Sequence, residues 1–365
     1  MHHIYRQITS LRRVQPVVIA QKRENAARFP LEPVRIVTKP ASQFLRRIWF
    51  KQIADRPWKI SRGELRGLMG ALDEINAELL HIYFGHIAVR LLPLIEQWRK
   101  PSLVSFHGAD VLVDMNEPAH RRATEEMLAR VKRVLVRSES LRKAVVELGC
   151  APEKIEIQRT GVPLKDFAFR ERNMPANGAW RLLQACRLIE KKGLATSLRS
   201  FATFHQVFPR SALTIAGEGP QLEELQVLAR ELGIASAVSF PGFVSQHELR
   251  NLFYSSQMFL HPSQTARDGN QEGVPNSMLE AMATGLPVFA TRHGGISEAV
   301  DDGASGILVA EGDDEALADA MISAAKNPEK LTKLGRIAAE QVAGNFAQSA
   351  NTRRLEEIYL REIAQ

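Results

Sequence analysis

Residues 180–216 read WRLLQACRLIEKKGLATSLRSFATFHQVFPRSALTIA, and their changing periodicity decides the fold class. Leu182-Leu183-Gln184-Ala185 has the length and apolar character of a buried strand. The span from about Ala195 to Val207 is amphipathic at helical spacing, and Leu213-Thr214-Ile215-Ala216 is apolar again. A strand, a helix and a strand in about 35 residues make a βα unit, which calls for a mainly parallel sheet. Downstream the pattern repeats. Helices over about 221–232, 247–255 and 276–284 alternate with the runs 238–240, 258–260, 287–290 and 306–309.

Upstream the alternation is fainter. Val17-Val18-Ile19-Ala20, Leu80-His81-Ile82-Tyr83, Leu103-Val104-Ser105-Phe106 and Arg133-Val134-Leu135-Val136 read as strands. Two α/β domains follow, with the turn-forming Thr160-Gly161-Val162-Pro163 and the polar stretch 170–178 between them. The expected division is residues 1–165 and 166–345. The stretch from Phe346 to Ala364 reads as an amphipathic helix through Leu355, Ile358, Tyr359 and Ile363.

The chain has 365 residues, 45% apolar and 24% charged, and no apolar run near 18 residues. These values exclude disorder, collagen and a membrane-spanning helix. Cys150 and Cys186 are too few for a disulfide framework or a cysteine zinc site, and the opening residues show no apolar signal core. A cytoplasmic protein is expected.

Of the net charge of +7, residues 1–67 carry a surplus of 11, from 15 Lys and Arg against 4 Asp and Glu. Such a face suits an anionic partner. If helical, residues 42–53 place Phe44, Leu45, Ile48, Trp49 and Ile53 together, flanked by Arg46, Arg47 and Lys51. That pattern fits a helix lying in an anionic membrane interface, and equally a docked surface helix with solvated basic residues. Nucleic acid is not expected as a partner, because no recognised binding module accompanies the charge.

The chemistry-bearing stretch is EGVPNSMLEAMATGLPV at 272–288. Pro275 and Asn276 start a short helix and Gly285 stops it. Its first-turn amides, at Asn276 and Ser277 after Val274, form a site for a diphosphate. Carboxylates accept hydrogen bonds from sugar hydroxyls, so of Glu272 and Glu280 one suits a ribose and the other a hexose. Arg187 and Lys192, after the 182–185 strand, would supply cations to a leaving diphosphate; a solvated basic loop is the alternative. The turn Gly217-Glu218-Gly219 could bring backbone close to a ligand. In the first half His107 follows a strand in the same way and could hydrogen-bond a sugar or its phosphate, with Asp110 holding its loop; a structural histidine is the alternative. Each candidate lies at the carboxyl end of a predicted strand, where two facing α/β domains would form an interdomain site.

These residues resemble glycosyltransferase family 4, the retaining nucleotide-sugar transferases of the GT-B fold. The resemblance rests on Glu272 and Glu280 as the Glu-x7-Glu signature. It is supported by RLIEKKGL at 187–194, GEGP at 217–220, PGFV at 241–244, HPS at 261–263, HGAD at 107–110 and TGVP at 160–163. IYRQI at 4–8, YFG at 83–85 and RDGNQEGVP at 267–275 are similar to the branch that builds colanic acid and related bacterial exopolysaccharides.

The resemblance implies two Rossmann-like α/β/α domains facing a cleft, with the 346–365 helix crossing back to pack on the first domain; an exposed oligomer helix is the alternative. It implies that Glu280 binds the nucleotide ribose, Glu272 the donor sugar, and Arg187 and Lys192 the diphosphate. Gly217, Glu218, Gly219, Phe243, Val274, Pro275, Asn276 and Ser277 would complete the donor site, with His107 beside the transferred sugar. It further implies front-face substitution with retention and without a settled protein nucleophile. No metal or cofactor is implied; the donor is a nucleoside-diphosphate sugar, UDP favoured over GDP. The acceptor would be an exopolysaccharide or lipopolysaccharide glycan, free or lipid-linked, at the inner face of the plasma membrane.

One departure stands at the amino end. Family members open with a strand and a small-residue loop before a segment like IYRQI, which here begins at Ile4. The first strand of the N-terminal domain is therefore expected to be missing, which would expose a sheet edge and remove part of the reaction site. A truncated, non-catalytic relative that binds nucleotide sugar or a partner enzyme is the alternative function. A phosphorylase of similar fold would need a pyridoxal-phosphate lysine site, of which the sequence gives no clear signal.

Overall fold

The computed structural model describes residues 2–24, 26, 27, 29–38, 50, 57–108, 117–267, 269 and 271–365. The basic amphipathic stretch 42–53, apart from residue 50, and Asp110 lie outside the described residues. The chain divides into two compact units, Met1–Gly161 with Ser349–Gln365, and Val162–Gln348.

Among its described residues the first unit holds two parallel sheets. Strands β1 (Val18–Ala20) and β2 (Val34–Ile36) pair with each other; β3 (Leu80–Tyr83), β4 (Ser102–Ser105), β5 (Arg133–Val136) and β6 (Ile155–Ile157) form a four-stranded sheet in chain order. Alternation along the strands separates the two faces. Ile82, Val104, Phe106, Val134 and Val136 pack into one core with residues of helices Gly85–Arg90, Pro118–Arg130 and Glu139–Glu147. Leu103 and Leu135 face the other way, onto Leu355, Ile358 and Tyr359 of helix Gln348–Ile363. That helix is also tied by charge. Arg133 Nε lies 2.6 Å from Glu362 Oε1, and Glu356 accepts the Arg13 amide at 2.6 Å.

The second unit is a six-stranded parallel sheet. Its strands are β7 (Arg181–Ala185), β8 (Ala212–Ala216), β9 (Val238–Gly242), β10 (Met258–His261), β11 (Val288–Thr291) and β12 (Ile307–Val309), in the order β12-β11-β10-β7-β8-β9. β7, β10 and β11 are buried on both faces except at Arg181, as a sheet covered on both sides by helices requires. Leu183, Ala185, Phe259 and Val288 enter one core with helices Asn276–Ala283 and Pro328–Asn345. Leu182, Met258, Leu260 and Phe289 enter the other with helices Leu194–Val207 and Asp314–Ala325.

This strand order fixes where a ligand can sit. The chain starts at β7 in the middle, winds outward through β8 and β9, returns to β10 on the other side of β7, and winds outward again. The loops leaving the carboxyl ends of β7 and β10 therefore diverge, and the crevice between them is the switch point at which such sheets bind ligands.

Candidate functional site

At that switch point the loop after β7 and the loop after β10 are stitched together. The Gln264 amide donates to the Lys191 carbonyl at 3.0 Å, and Lys191 Nζ donates to the Gln271 carbonyl at 3.1 Å. Gly193 has φ +59°, and a Cβ there would lie 1.7 Å from the Pro262 carbonyl oxygen. Only glycine lets the two loops approach this closely. Gln184, buried inside β7, donates to the Lys192 carbonyl at 2.9 Å and so fixes that lysine's backbone from below.

Lys192 and Glu272 then meet. Lys192 Nζ forms a short, mostly buried ion pair with Glu272 Oε2, and Lys191 Nζ stands 3.9 Å from the same oxygen. Burial works against ionisation of Glu272, but Lys192 and Lys191 outweigh it and hold the carboxyl down to about 2. The pair brings together a cation expected on the diphosphate and a carboxylate expected on the sugar.

Helix Asn276–Ala283 begins beside them. Pro275 stands at its cap position, its first bond runs from the Leu279 amide to the Pro275 carbonyl at 3.1 Å, and Gly285 ends it with φ +81°. The Ser277 hydroxyl donates to the Ala185 carbonyl at 2.7 Å, which pins the helix start to the carboxyl end of β7. Glu280 is buried one turn in, and Val274 and Pro275 are buried behind the loop. The positive end of the helix dipole thus lies at the crevice.

Around this centre Arg187 is exposed just after β7, with no salt-bridge partner among the described residues. Glu218 is exposed after β8, and Phe243, just beyond β9, is 56% exposed. The glycines of the 217–219 turn serve the protein's own backbone. Gly217 has φ +144°, and a Cβ there would lie 1.8 Å from the Cys186 carbonyl oxygen. The Leu188 amide donates to the Glu218 carbonyl at 2.9 Å. Burial pushes the Cys186 thiol up to about 12, which removes it as a nucleophile at neutral pH.

The sequence singled out no role for four further residues here. Lys191 anchors the loop as described. His261, the last residue of β10, is fully buried, its ring parallel to Phe259 with centroids 6.1 Å apart; burial and Lys192 hold its pKa down to about 3. His293 and Glu311, after β11 and β12, bond each other at 2.6 Å. The HPS run and the position of His293 at a strand end were the available signals.

His107 belongs to the first unit, where it follows β4. Its ring packs among Phe84, His3 and Tyr83 at centroid distances of 4.9, 5.5 and 5.7 Å. Burial, with Arg137 nearby, pushes its pKa well below the ordinary value. Beneath it lies a second neutral imidazole, His81, bonded to Tyr359 Oη at 2.5 Å and to Ser105 Oγ.

Two cations, a helix start and two carboxylates on one sheet edge can hold a diphosphate with a hydroxyl-bearing group on either side. No group of three or more His, Cys, Asp or Glu among the described residues is placed to hold a metal ion. No described helix is long and apolar enough to cross a membrane.

Comparison with known proteins follows the same division. The family described as Glycosyltransferase Family 4 matches residues 2–166, and that described as Glycosyl transferases group 1 matches residues 166–341. The putative colanic acid biosynthesis glycosyltransferase WcaL of Salmonella typhimurium is 32% identical over 76% of this chain and 69% of its own length. The amylovoran biosynthesis glycosyltransferase AmsK of Erwinia amylovora is 29% identical over 77% and 70%. Among solved structures, Anabaena HepE in complex with UDP superposes with a TM-score of 0.79 at 18% identity, covering 98% of this chain and 96% of that one. HepE has also been crystallised with UDP-glucose; that structure gives a TM-score of 0.78 at 19% identity, covering 98% and 95%.

Proposed function

The chain belongs to glycosyltransferase family 4 and has the GT-B fold, and we propose that it moves a hexose, with retention, from a nucleoside-diphosphate sugar to a bacterial exopolysaccharide glycan. The observation that carries this reading is the meeting of Lys192, Glu272 and the start of helix Asn276–Ala283 at the carboxyl ends of β7 and β10. The names of the two relatives support the exopolysaccharide product, and the HepE complexes support UDP as the nucleotide.

In this reading Glu280 accepts hydrogen bonds from the ribose, and the helix start with Arg187 takes the diphosphate. Lys192 turns from Glu272 toward the phosphate as the donor enters, which frees the Glu272 carboxylate for hydroxyls of the hexose. As the bond from sugar to phosphate breaks, negative charge grows on the leaving diphosphate, and these groups stabilise it without a metal. Phe243 offers an exposed ring to the base. A lipid-linked acceptor and the basic surplus of residues 1–67 would keep the enzyme at the anionic inner face of the plasma membrane.

The test is transfer itself. The purified chain is incubated with UDP-glucose, UDP-galactose or GDP-mannose and lipid-linked glycans extracted from exopolysaccharide-producing bacteria. The expected result is one glycosylated product whose anomeric configuration, read by NMR, matches the donor. An inverted product removes the retaining mechanism; no transfer from any donor removes the proposal.

A further inference from the structure

The backbone around Glu272 is held by residues that are not partners in the ion pair. His293 is 2% exposed, and its Nε2 accepts the Glu272 amide at 2.9 Å. Accepting there leaves the ring proton on Nδ1, which donates to Glu311 Oε1 at 2.6 Å. The other oxygen of Glu311, Oε2, accepts the Thr265 amide at 2.8 Å. The Gly295 amide adds a bond of 3.2 Å to the Glu272 carbonyl, and a Cβ on Gly294, at φ +49°, would lie 2.1 Å from that oxygen. One carboxylate and one imidazole, from the loops after β12 and β11, therefore grip both ends of the segment that leaves β10 and carries Glu272.

We propose that His293 and Glu311 are a positioning pair that fixes the backbone at Thr265 and at Glu272, and thereby sets where the Glu272 carboxylate meets the donor sugar. The inference rests on the donor-site reading above and deepens it: discrimination for the sugar resides in this clamp, while affinity for the nucleotide resides with Glu280 and the helix start. Both residues act through backbone amides, His293 on Glu272 and Glu311 on Thr265.

Two half-replacements separate the arms of the clamp. His293→Gln keeps an acceptor near Nε2 for the Glu272 amide; His293→Asn keeps a donor near Nδ1 for Glu311. Each bond is worth about 1 kcal/mol, so losing the grip on Glu272 should weaken sugar recognition about 5- to 10-fold. The experiment reads two quantities on the wild type, His293→Asn, His293→Gln and Glu311→Ala. The first is amide exchange of the 264–274 peptide in the ligand-free chain. The second is the ratio of the dissociation constants of UDP-glucose and UDP.

The expected result is lost protection of that peptide and an altered ratio in His293→Asn and Glu311→Ala, with UDP affinity within twofold of wild type and most of both restored in His293→Gln. Unchanged exchange overturns the clamp. Lost protection with an unchanged ratio reduces the pair to a structural role and overturns the proposal. If the wild type binds neither UDP nor UDP-glucose, the UDP-sugar reading fails first, which is distinguishable from either outcome.

Discussion

Replacing Lys192 by Met should destabilise the second unit by an amount that depends on pH in a defined way. The Glu272 carboxyl, ordinarily near 4.5, is held at about 2, with its side chain only 13% exposed. That difference corresponds to roughly 3 kcal/mol of preference for the ionised form in the folded chain. Lys191, 3.9 Å away, retains part of the effect, so the expected loss at pH 7 is about 2–3 kcal/mol, in line with breaking a buried pair from one side. For a unit of this size that lowers Tm by roughly 5–10 °C.

Because the folded value is depressed, the stabilisation is fully present above about 4.5 and is lost as pH falls toward 2. The gap between wild type and Lys192→Met, followed by calorimetric melting, should therefore be widest at neutral pH and close between about pH 4.5 and 2. The double variant Lys192→Met/Glu272→Gln should recover most of the loss, since no charge is then left buried alone. A gap under about 0.5 kcal/mol at pH 7, too small for any buried pair, would refute the reasoning. So would a double variant that loses the sum of the two singles.

Two other consequences are open to direct measurement. Arg172, 8% exposed, donates to the Phe253 carbonyl and to both oxygens of Thr284 at 2.6–2.8 Å, closing the carboxyl ends of helices Gln246–Ser255 and Asn276–Ala283. Arg172→Met should cost about 3 kcal/mol in denaturant melts, and a loss below about 1 kcal/mol would contradict that role. His81 and His261 are held neutral near 3 by burial, whereas in the unfolded chain they protonate near 6.5. Between those values the unfolded state binds more protons, so stability should fall by about 1.4 kcal/mol per pH unit for each histidine as pH drops below about 6.5. Flat stability from pH 7.5 to 5.5 would contradict it.

The architecture of the second unit is legible in the sequence because β7, β8, β10 and β11 are mostly apolar strands of four or five residues, separated by helices with a clear 3.6-residue period. β2 and β6, reading VRI and IEI, are three residues long with a charge in the middle. One alternation is too little to separate a strand from a loop. Helix His2–Thr9 gives no start signal either, with no acidic residue in its first turn. The helix start at Pro275 and the two glutamates are visible as a local pattern, whereas the ion pair between Lys192 and Glu272 joins residues 80 positions apart. That contact depends on β7 and β10 becoming neighbours, and strand order is not written in local periodicity. For the same reason the clamp from His293 and Glu311 is invisible before the sheet is assembled.

The central claim is that the carboxyl edge of the second sheet binds a nucleoside-diphosphate sugar through Glu280, Arg187, Lys192 and the helix start. The most direct test is a calorimetric panel of UDP, GDP, ADP and their glucose or mannose conjugates on the wild type and on Glu280→Ala. A ligand at ~100 times its dissociation constant adds about 2.7 kcal/mol, so a parallel melting shift provides an independent check. The account predicts selective binding of one nucleotide class, UDP first, weakened at least about tenfold in a folded Glu280→Ala, as loss of hydrogen bonds to the ribose requires. A folded wild type that binds none of the panel, or a Glu280→Ala that binds as tightly as wild type, would contradict it.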